Sequence, residues 1–215
     1  MTGREALTSS RQAFEVVDAF EQAVARYTGA PYCVAVDSCT NALFLCLVYA
    51  LRDADDPIPL TLPPNIYPGV AMAARLAGCE IRWLDDQFNW QDDGGFELSP
   101  LNIWDYAKRF TCVMYKAGTM QCVSFQASKL LPIGRGGAIL HDNSDFDRWA
   151  RRARNDGRQE GALCGTETDF PIQGFHMYMT PPDAARGLWL LTYYPEHMPD
   201  QVDEYADLSG VELFK

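Results

Sequence analysis

The sequence is short of several things, and each shortage closes off a class of function. Positive charge is scarce: 18 lysines and arginines stand against 29 aspartates and glutamates, a net charge of -11. An acidic surface repels a phosphate backbone, so nucleic-acid binding is disfavoured as the main role. No apolar run approaches the length of a membrane span, and the opening stretch MTGREALTSSRQAFE holds no apolar segment of the signal-peptide kind. The expectation is a cytoplasmic protein with no membrane partner. The seven cysteines include no CxxC pair and their number is odd. That argues against a zinc site or a disulfide framework and for reduced, mostly buried thiols. No metal site is expected. Internal repeats and low-complexity tracts are lacking too.

What is present is apolar matter: 47% of 215 residues, enough for one core-bearing domain with room for a small appendage. Phe14, Val17, Phe20, Val24 and Tyr27 recur at helical spacing, with Ser9 and Gln12 spaced as a capping box and Gly29 placed to stop the helix. YCVAVD (32–37) reads as a short buried strand, and SCTNALFLCLVYAL opens a helix that Ser38 or Thr40 caps. PIPLTLP (57–63) is a second strand, YPGVAMAARLAG (67–78) a helix, and EIRWLDD (80–86) a third strand. NWQDDGGFELSP (89–100) reads as a loop and LNIWDYA (101–107) as a short strand. QCVSFQ and GGAILHD are the last two strands, expected to pair; SDFDRWARRARNDG is a charged helix whose RRAR run reads as a solvated face. A further helix near 182–194 and a polar tail complete the chain. Strands alternating with helices predict an α/β domain with a mainly parallel sheet flanked by helices.

In such sheets ligands bind beyond the C-terminal ends of strands, and that is where the reactive residues fall. SCTNA opens a helix directly after a strand, so its free N–H groups and dipole favour an anion there. Ser124 offers one more hydrogen bond. Asp105 follows an apolar piece; a buried carboxylate needs a partner, and a protonated ring nitrogen serves. Tyr67 offers a flat aromatic face. Lys129, in CVSFQASKLLPIGRGGAILHD, offers an amine able to condense with an aldehyde. Phosphate, aldehyde and basic ring nitrogen together describe pyridoxal phosphate. The bland alternatives stay open beside this. Apart from its context Lys129 reads as a surface lysine, Asp105 as a turn cap, Ser38 and Thr40 as ordinary helix caps, and Tyr67 as core. Cys39 is either a thiol activated by the helix N-terminus or a small residue filling a glycine site.

Over nearly its whole length the chain resembles the DegT/DnrJ/EryC1/StrS aminotransferases, which are fold-type-I pyridoxal-phosphate enzymes. The likeness rests on FEQAVARYTGAPYCVAVDSCTNALFLCL, LPPNIYPGVAMAARLAGCEIRWLDD, IWDYAKRF, SFQASKLLPIGRGGAIL and, more weakly, GFHMYMTPPDAARGL. It implies Lys129 as the Schiff-base lysine, Asp105 as the carboxylate on the pyridine nitrogen and Tyr67 as the stacking aromatic. Ser38, Cys39, Thr40 and Ser124 would then form the phosphate turn.

The chain also departs from the family pattern. One strand–helix unit between Asp86 and Leu101 and most of the small C-terminal domain have no counterpart here. Residues 1–160 then form the cofactor-binding core, and 161–215 a short C-terminal segment, a reduced type-I fold with a rudimentary C-terminal part. Cys39 stands for a glycine, Gln126 for a histidine, Lys108 for a glutamine, His176 for an asparagine and Tyr178 for an arginine. The resemblance implies an aminotransferase that takes an amino group from an amino acid such as glutamate. Its acceptor is a keto sugar, expected to be nucleotide-linked, with Arg109, Arg135 or Arg158 on the diphosphate. It implies a homodimer as well. The alternatives are a dehydratase or lyase using the same cofactor, and a non-catalytic relative acting as a binding partner.

Overall fold

The computed structural model describes residues 10–84, 94–160, 168–202 and 204–214. Ser9, the stretch 85–93 and Cys164 lie outside them, so the capping box, the end of the third strand and the start of the predicted loop are not described. Helix α1 (Ser10–Thr28) forms where the apolar spacing predicts it and buries Val17, Phe20 and Val24. It stops at Gly29, whose φ of 79 suits a residue without a Cβ and whose N–H donates to the Ala25 carbonyl at 2.9 Å. Then follow β1 (Tyr32–Val36), α2 (Cys39–Leu51), β2 (Pro59–Leu62), α3 (Pro68–Leu76) and β3 (Glu80–Trp83). The chain continues through β4 (Phe96–Glu97), β5 (Ile103–Asp105), β6 (Met120–Ser124), β7 (Gly137–His141), α4 (Ser144–Ala153) and α5 (Pro181–Thr192).

The main sheet has the order β1-β7-β6-β5-β4, and β2 and β3 form a separate parallel pair. Alternation along the strands feeds two apolar layers. Cys122 and Ile139 point into the layer built with α2, α3 and α4; Val123, Ala138 and Leu140 point into the layer built with α1 and α5. The sheet is thus flanked by helices on both faces, as the sequence predicts.

The strand directions correct the expectation of a mainly parallel sheet. Only β5/β6 pair parallel in the main sheet; β1/β7, β6/β7 and β4/β5 are antiparallel. The cause is the link from β6 to β7, which is a loop with no crossover helix, so β7 must return antiparallel. Because β7 opposes both neighbours, β1, β5 and β6 still run the same way. Their C-terminal ends share one edge.

Three further readings change. Within the predicted loop, Phe96 and Glu97 pair with Asp105 and Trp104 as β4. The tail is not simply polar: Leu208 and Phe214 are buried, and Phe214 packs edge-on against Trp83. Nor is RRAR a solvated face. Arg154 is only 1% exposed, and its guanidinium donates to the carboxylates of Glu21 and Glu160 and to the Ala35 carbonyl. Arg151 reaches Glu21 at 2.7 Å, and Glu21 also accepts the Ala35 N–H at 2.7 Å. This buried network ties α1, β1 and α4 together.

Removing one partner from such a network strands the other charges away from water. Glu21→Gln is therefore expected to lower the free energy of unfolding by about 3 kcal/mol in urea denaturation. A change below about 0.5 kcal/mol would show the network to be dispensable.

Candidate active site

The shared edge of β1, β5 and β6 opens into a cavity of about 500 Å³. The residues expected to hold the cofactor line it: Ser38, Cys39, Thr40, Tyr67, Asp105, Ser124 and Lys129. β1 leads through Asp37 to Ser38; β5 ends at Asp105; β6 ends at Ser124. The topology converges these side chains from distant parts of the sequence.

One end of the cavity is built for an anion. Ser38 sits as the N-cap of α2 in an extended conformation, and its Oγ accepts the Asn41 N–H at 3.2 Å. Ser38, Cys39 and Thr40 at the start of α2 line the cavity, and a helix start carries free N–H groups and the positive end of the helix dipole. β7 approaches this turn so closely that a Cβ on Gly137 would lie 2.5 Å from the Cys39 nitrogen. The glycine-rich turn is therefore a requirement of packing. Gly134 and Gly136, at φ 121 and 133, flank Arg135 and turn it toward Asp37. Arg135 Nη2 donates to the Asp37 carboxylate at 2.9 Å, and Asn41 Nδ2 donates to the same carboxylate at 2.7 Å. Tyr67 precedes α3 and is 54% exposed. A side chain on Gly69 would collide with the Tyr67 ring at 2.6 Å and with Thr40 Oγ1 at 2.9 Å.

The floor is Asp105. It is 6% exposed, and its Oδ1 accepts the Ala107 N–H at 2.8 Å. Burial pushes its pKa up to about 6, against the pull of that N–H, Lys129 and Lys108. Cys39 Sγ lies 4.0 Å from Asp105 Oδ1. Burial, then the Asp105 charge, drives the Cys39 thiol well above its ordinary range. Cys39 is therefore a small buried filler beside the carboxylate and not an activated thiolate. Lys129 is half-buried in the loop after β6, with its N–H donating to the Gln126 carbonyl at 2.9 Å.

Among the residues flagged as departures, Cys39, Lys108 and Gln126 line the cavity, as does Arg135, one of the three arginines expected at the diphosphate. Arg109 instead pairs with Asp200 at 3.2 Å, and Arg158 lies 3.5 Å from Asp156. His176 is exposed beside Asp156, and the Tyr178 ring packs against Phe14; neither lines the cavity. Sequence reasoning missed Ser128, Glu204 and Tyr205. The last two come from the C-terminal segment, which carries no periodicity or motif that would have marked them.

Comparison with known proteins follows the same outline. Residues 4–87 and 113–207 match the DegT/DnrJ/EryC1/StrS aminotransferase family. Asp105 lies in the stretch between the two matched parts, so its place in the cavity comes from geometry and not from the family match. No curated protein matches the chain. Among solved structures, the sugar aminotransferase CalS13 of Micromonospora echinospora is 20% identical with a TM-score of 0.67; the alignment covers 83% of this chain and 60% of that one. AtS13 of Actinomadura melliaura is 22% identical, TM-score 0.66, with 83% and 60% covered. PseC of Helicobacter pylori, an aminotransferase involved in the biosynthesis of pseudoaminic acid, is 16% identical, TM-score 0.65, with 87% and 63% covered. The chain thus spans about three fifths of the length of the structures it matches. It shares their fold.

The raised pKa of Asp105 fixes the sign of a pH effect. Its ordinary value is 3.8, and in the folded protein it is about 6. The stability linked to this group is full below the ordinary value and is lost as pH rises through the folded one. Asp105→Asn should therefore make the cofactor-free protein more stable by about 3 kcal/mol near pH 8, and by almost nothing near pH 3.5. Urea denaturation at both pH values checks this; a variant destabilised near pH 8 would contradict it.

Proposed function

The chain belongs to the DegT/DnrJ/EryC1/StrS aminotransferase family, and we propose that it is a pyridoxal-phosphate-dependent aminotransferase acting on a keto sugar. The observation that carries this reading is the convergence in one cavity of a buried carboxylate, an amine and an anion-binding helix start. These residues fit the cofactor. A carboxylate kept from water on the floor calls for a cationic partner, which a protonated ring nitrogen provides. The helix start and two hydroxyls suit a phosphate.

Bound there, the cofactor supplies an aldehyde that takes up an amine and a ring that accepts an electron pair from the substrate. The rest falls to this chain's side chains. Ser38, Thr40 and Ser124, with the first turn of α2, hold the phosphate. Tyr67 lies against the ring, and Cys39 fills the space between α2 and Asp105. Asp105 keeps the ring nitrogen protonated. Lys129 would hold the aldehyde end of the cofactor and would be the amine that moves the proton at the reacting carbon.

The finer reading is a glutamate donor and a nucleotide-linked acceptor, with Arg135 on the diphosphate. Arg135 is favoured over Arg109 and Arg158 because it alone of the three lines the cavity. Residues 1–160 act as the cofactor-binding core and 161–215 as a short C-terminal segment. We place the enzyme in the cytoplasm as a homodimer; the six described cysteines are free thiols, which suits a reducing compartment. A dehydratase on a similar sugar is the second reading, favoured by Gln126 at the cavity where the family's histidine stands.

The protein is expected to turn yellow with pyridoxal phosphate, and borohydride to fix the label on Lys129 in peptide mapping. A label on another lysine, or none, would overturn the assignment of Lys129. Glutamate should then discharge the visible band and a keto sugar restore it; an unsaturated sugar product instead would favour the dehydratase. Asp105→Asn should keep the cofactor but cut turnover roughly a hundredfold or more. Light scattering at micromolar concentration should give twice the chain mass; a monomer with cofactor bound would rule out the dimer.

A further inference from the structure

One wall of the cavity is formed by a segment without regular structure. Residues 198–202 and 204–208 are tied down at several points. Asp200 pairs with Arg109 at 3.2 Å. The Gln201 N–H donates to the Lys108 carbonyl at 2.9 Å, and its side-chain amide donates to the Ser128 carbonyl at 2.9 Å. The Tyr205 carbonyl accepts from Asn65 Nδ2 at 3.1 Å, and the Leu208 N–H donates to the Pro64 carbonyl at 3.0 Å. The Leu208 side chain is buried. The segment is thereby stitched to the loops that follow β2, β5 and β6. Glu204 and Tyr205 are left lining the cavity.

The chemistry of those two residues points to a class of ligand. The Tyr205 and Tyr67 rings lie 6.1 Å apart at 58°, and Lys108 Nζ sits 4.6 Å from the Tyr205 ring centre. A cation against one ring helps to hold it in place. With Tyr67 taken by the cofactor, the Tyr205 ring beside the Glu204 carboxylate suits a pyranose: its C–H face packs on the aromatic ring, and its rim of hydroxyls donates to the carboxylate. The Glu204 charge also turns away a phosphate or second carboxylate at this wall. The anionic part of a substrate is left to Arg135.

We propose that Tyr205 and Glu204 are specificity-determining residues that recognise the sugar ring of the acceptor. The ligand class rests on the reading of the site as a sugar aminotransferase; the new element is that this chain's own C-terminal segment supplies the sugar wall.

The test is calorimetry on the cofactor-loaded protein with UDP-glucose and, as control, UDP. The natural sequence should bind UDP-glucose about tenfold tighter than UDP. Tyr205→Leu and Glu204→Gln should each cut that advantage several-fold, and Tyr205→Phe, which keeps the ring, should retain it. Glu204 is exposed, so its substitution leaves the fold intact. Equal affinities for the two ligands in the natural sequence, or an advantage that survives both substitutions, would overturn the proposal. So would an equal fall in UDP affinity, since that marks a merely structural role. A protein that keeps the sugar advantage but fails to exchange its amino group with glutamate would lose the aminotransferase reading and keep the sugar wall.

Discussion

The structure is organised around a carboxylate held away from water. Asp105 closes a three-residue strand at the floor of the cavity, and the groups packed behind it keep solvent out. Phe96 pairs beside it, and Gly95 packs so tightly that a Cβ there would lie 2.3 Å from the Asp105 carbonyl. Cys39 covers it from α2. A group in that position raises the energy of the empty protein unless a cation arrives. A fold that retains such a cost must offset it elsewhere, and two apolar layers with the Glu21–Arg154 network carry that load. Under the proposed function, that cost prepares the site for a ligand with a protonated ring nitrogen.

The sheet explains how the other groups reach the same place. With β7 reversed between β1 and β6, three strand ends still meet at one edge. The phosphate-type helix start, the carboxylate and the lysine loop are the continuations of those three strands. Gly137 and Gly69 remove the side chains that would hold these continuations apart. The C-terminal segment then crosses the open side and is pinned by main-chain bonds to the loops around it.

Much of this was legible in the sequence, for reasons that differ by element. α1 shows its apolar stripe from Phe14 to Tyr27, and β1, β6 and β7 are short apolar runs bounded by turn residues. The site residues were legible because each sits in a compact local pattern: a cap before a helix, an acid after a strand, a lysine before a glycine turn. Strand direction was not legible, because a loop and a crossover helix of similar length leave the same apolar run behind. Phe96 and Glu97 carried too short a signal to stand out from their glycine-rich neighbours. The burial of Arg154 depends on Glu21, far away in the chain, and no local pattern announces a buried pair. The same holds for Tyr205 and Glu204, whose role exists only once the segment has docked.

The central proposal is that the protonated ring nitrogen of the cofactor meets Asp105. Carbon NMR of the Asp105 carboxyl, followed through pH with and without pyridoxal phosphate, tests it most directly. The free protein should titrate with a midpoint of about 6. On loading, the protonated ring nitrogen should pull that midpoint well below the free value, so that the carboxylate stays ionised across the working range. An unchanged midpoint would mean that the cofactor does not meet Asp105, and the account of this site would fail.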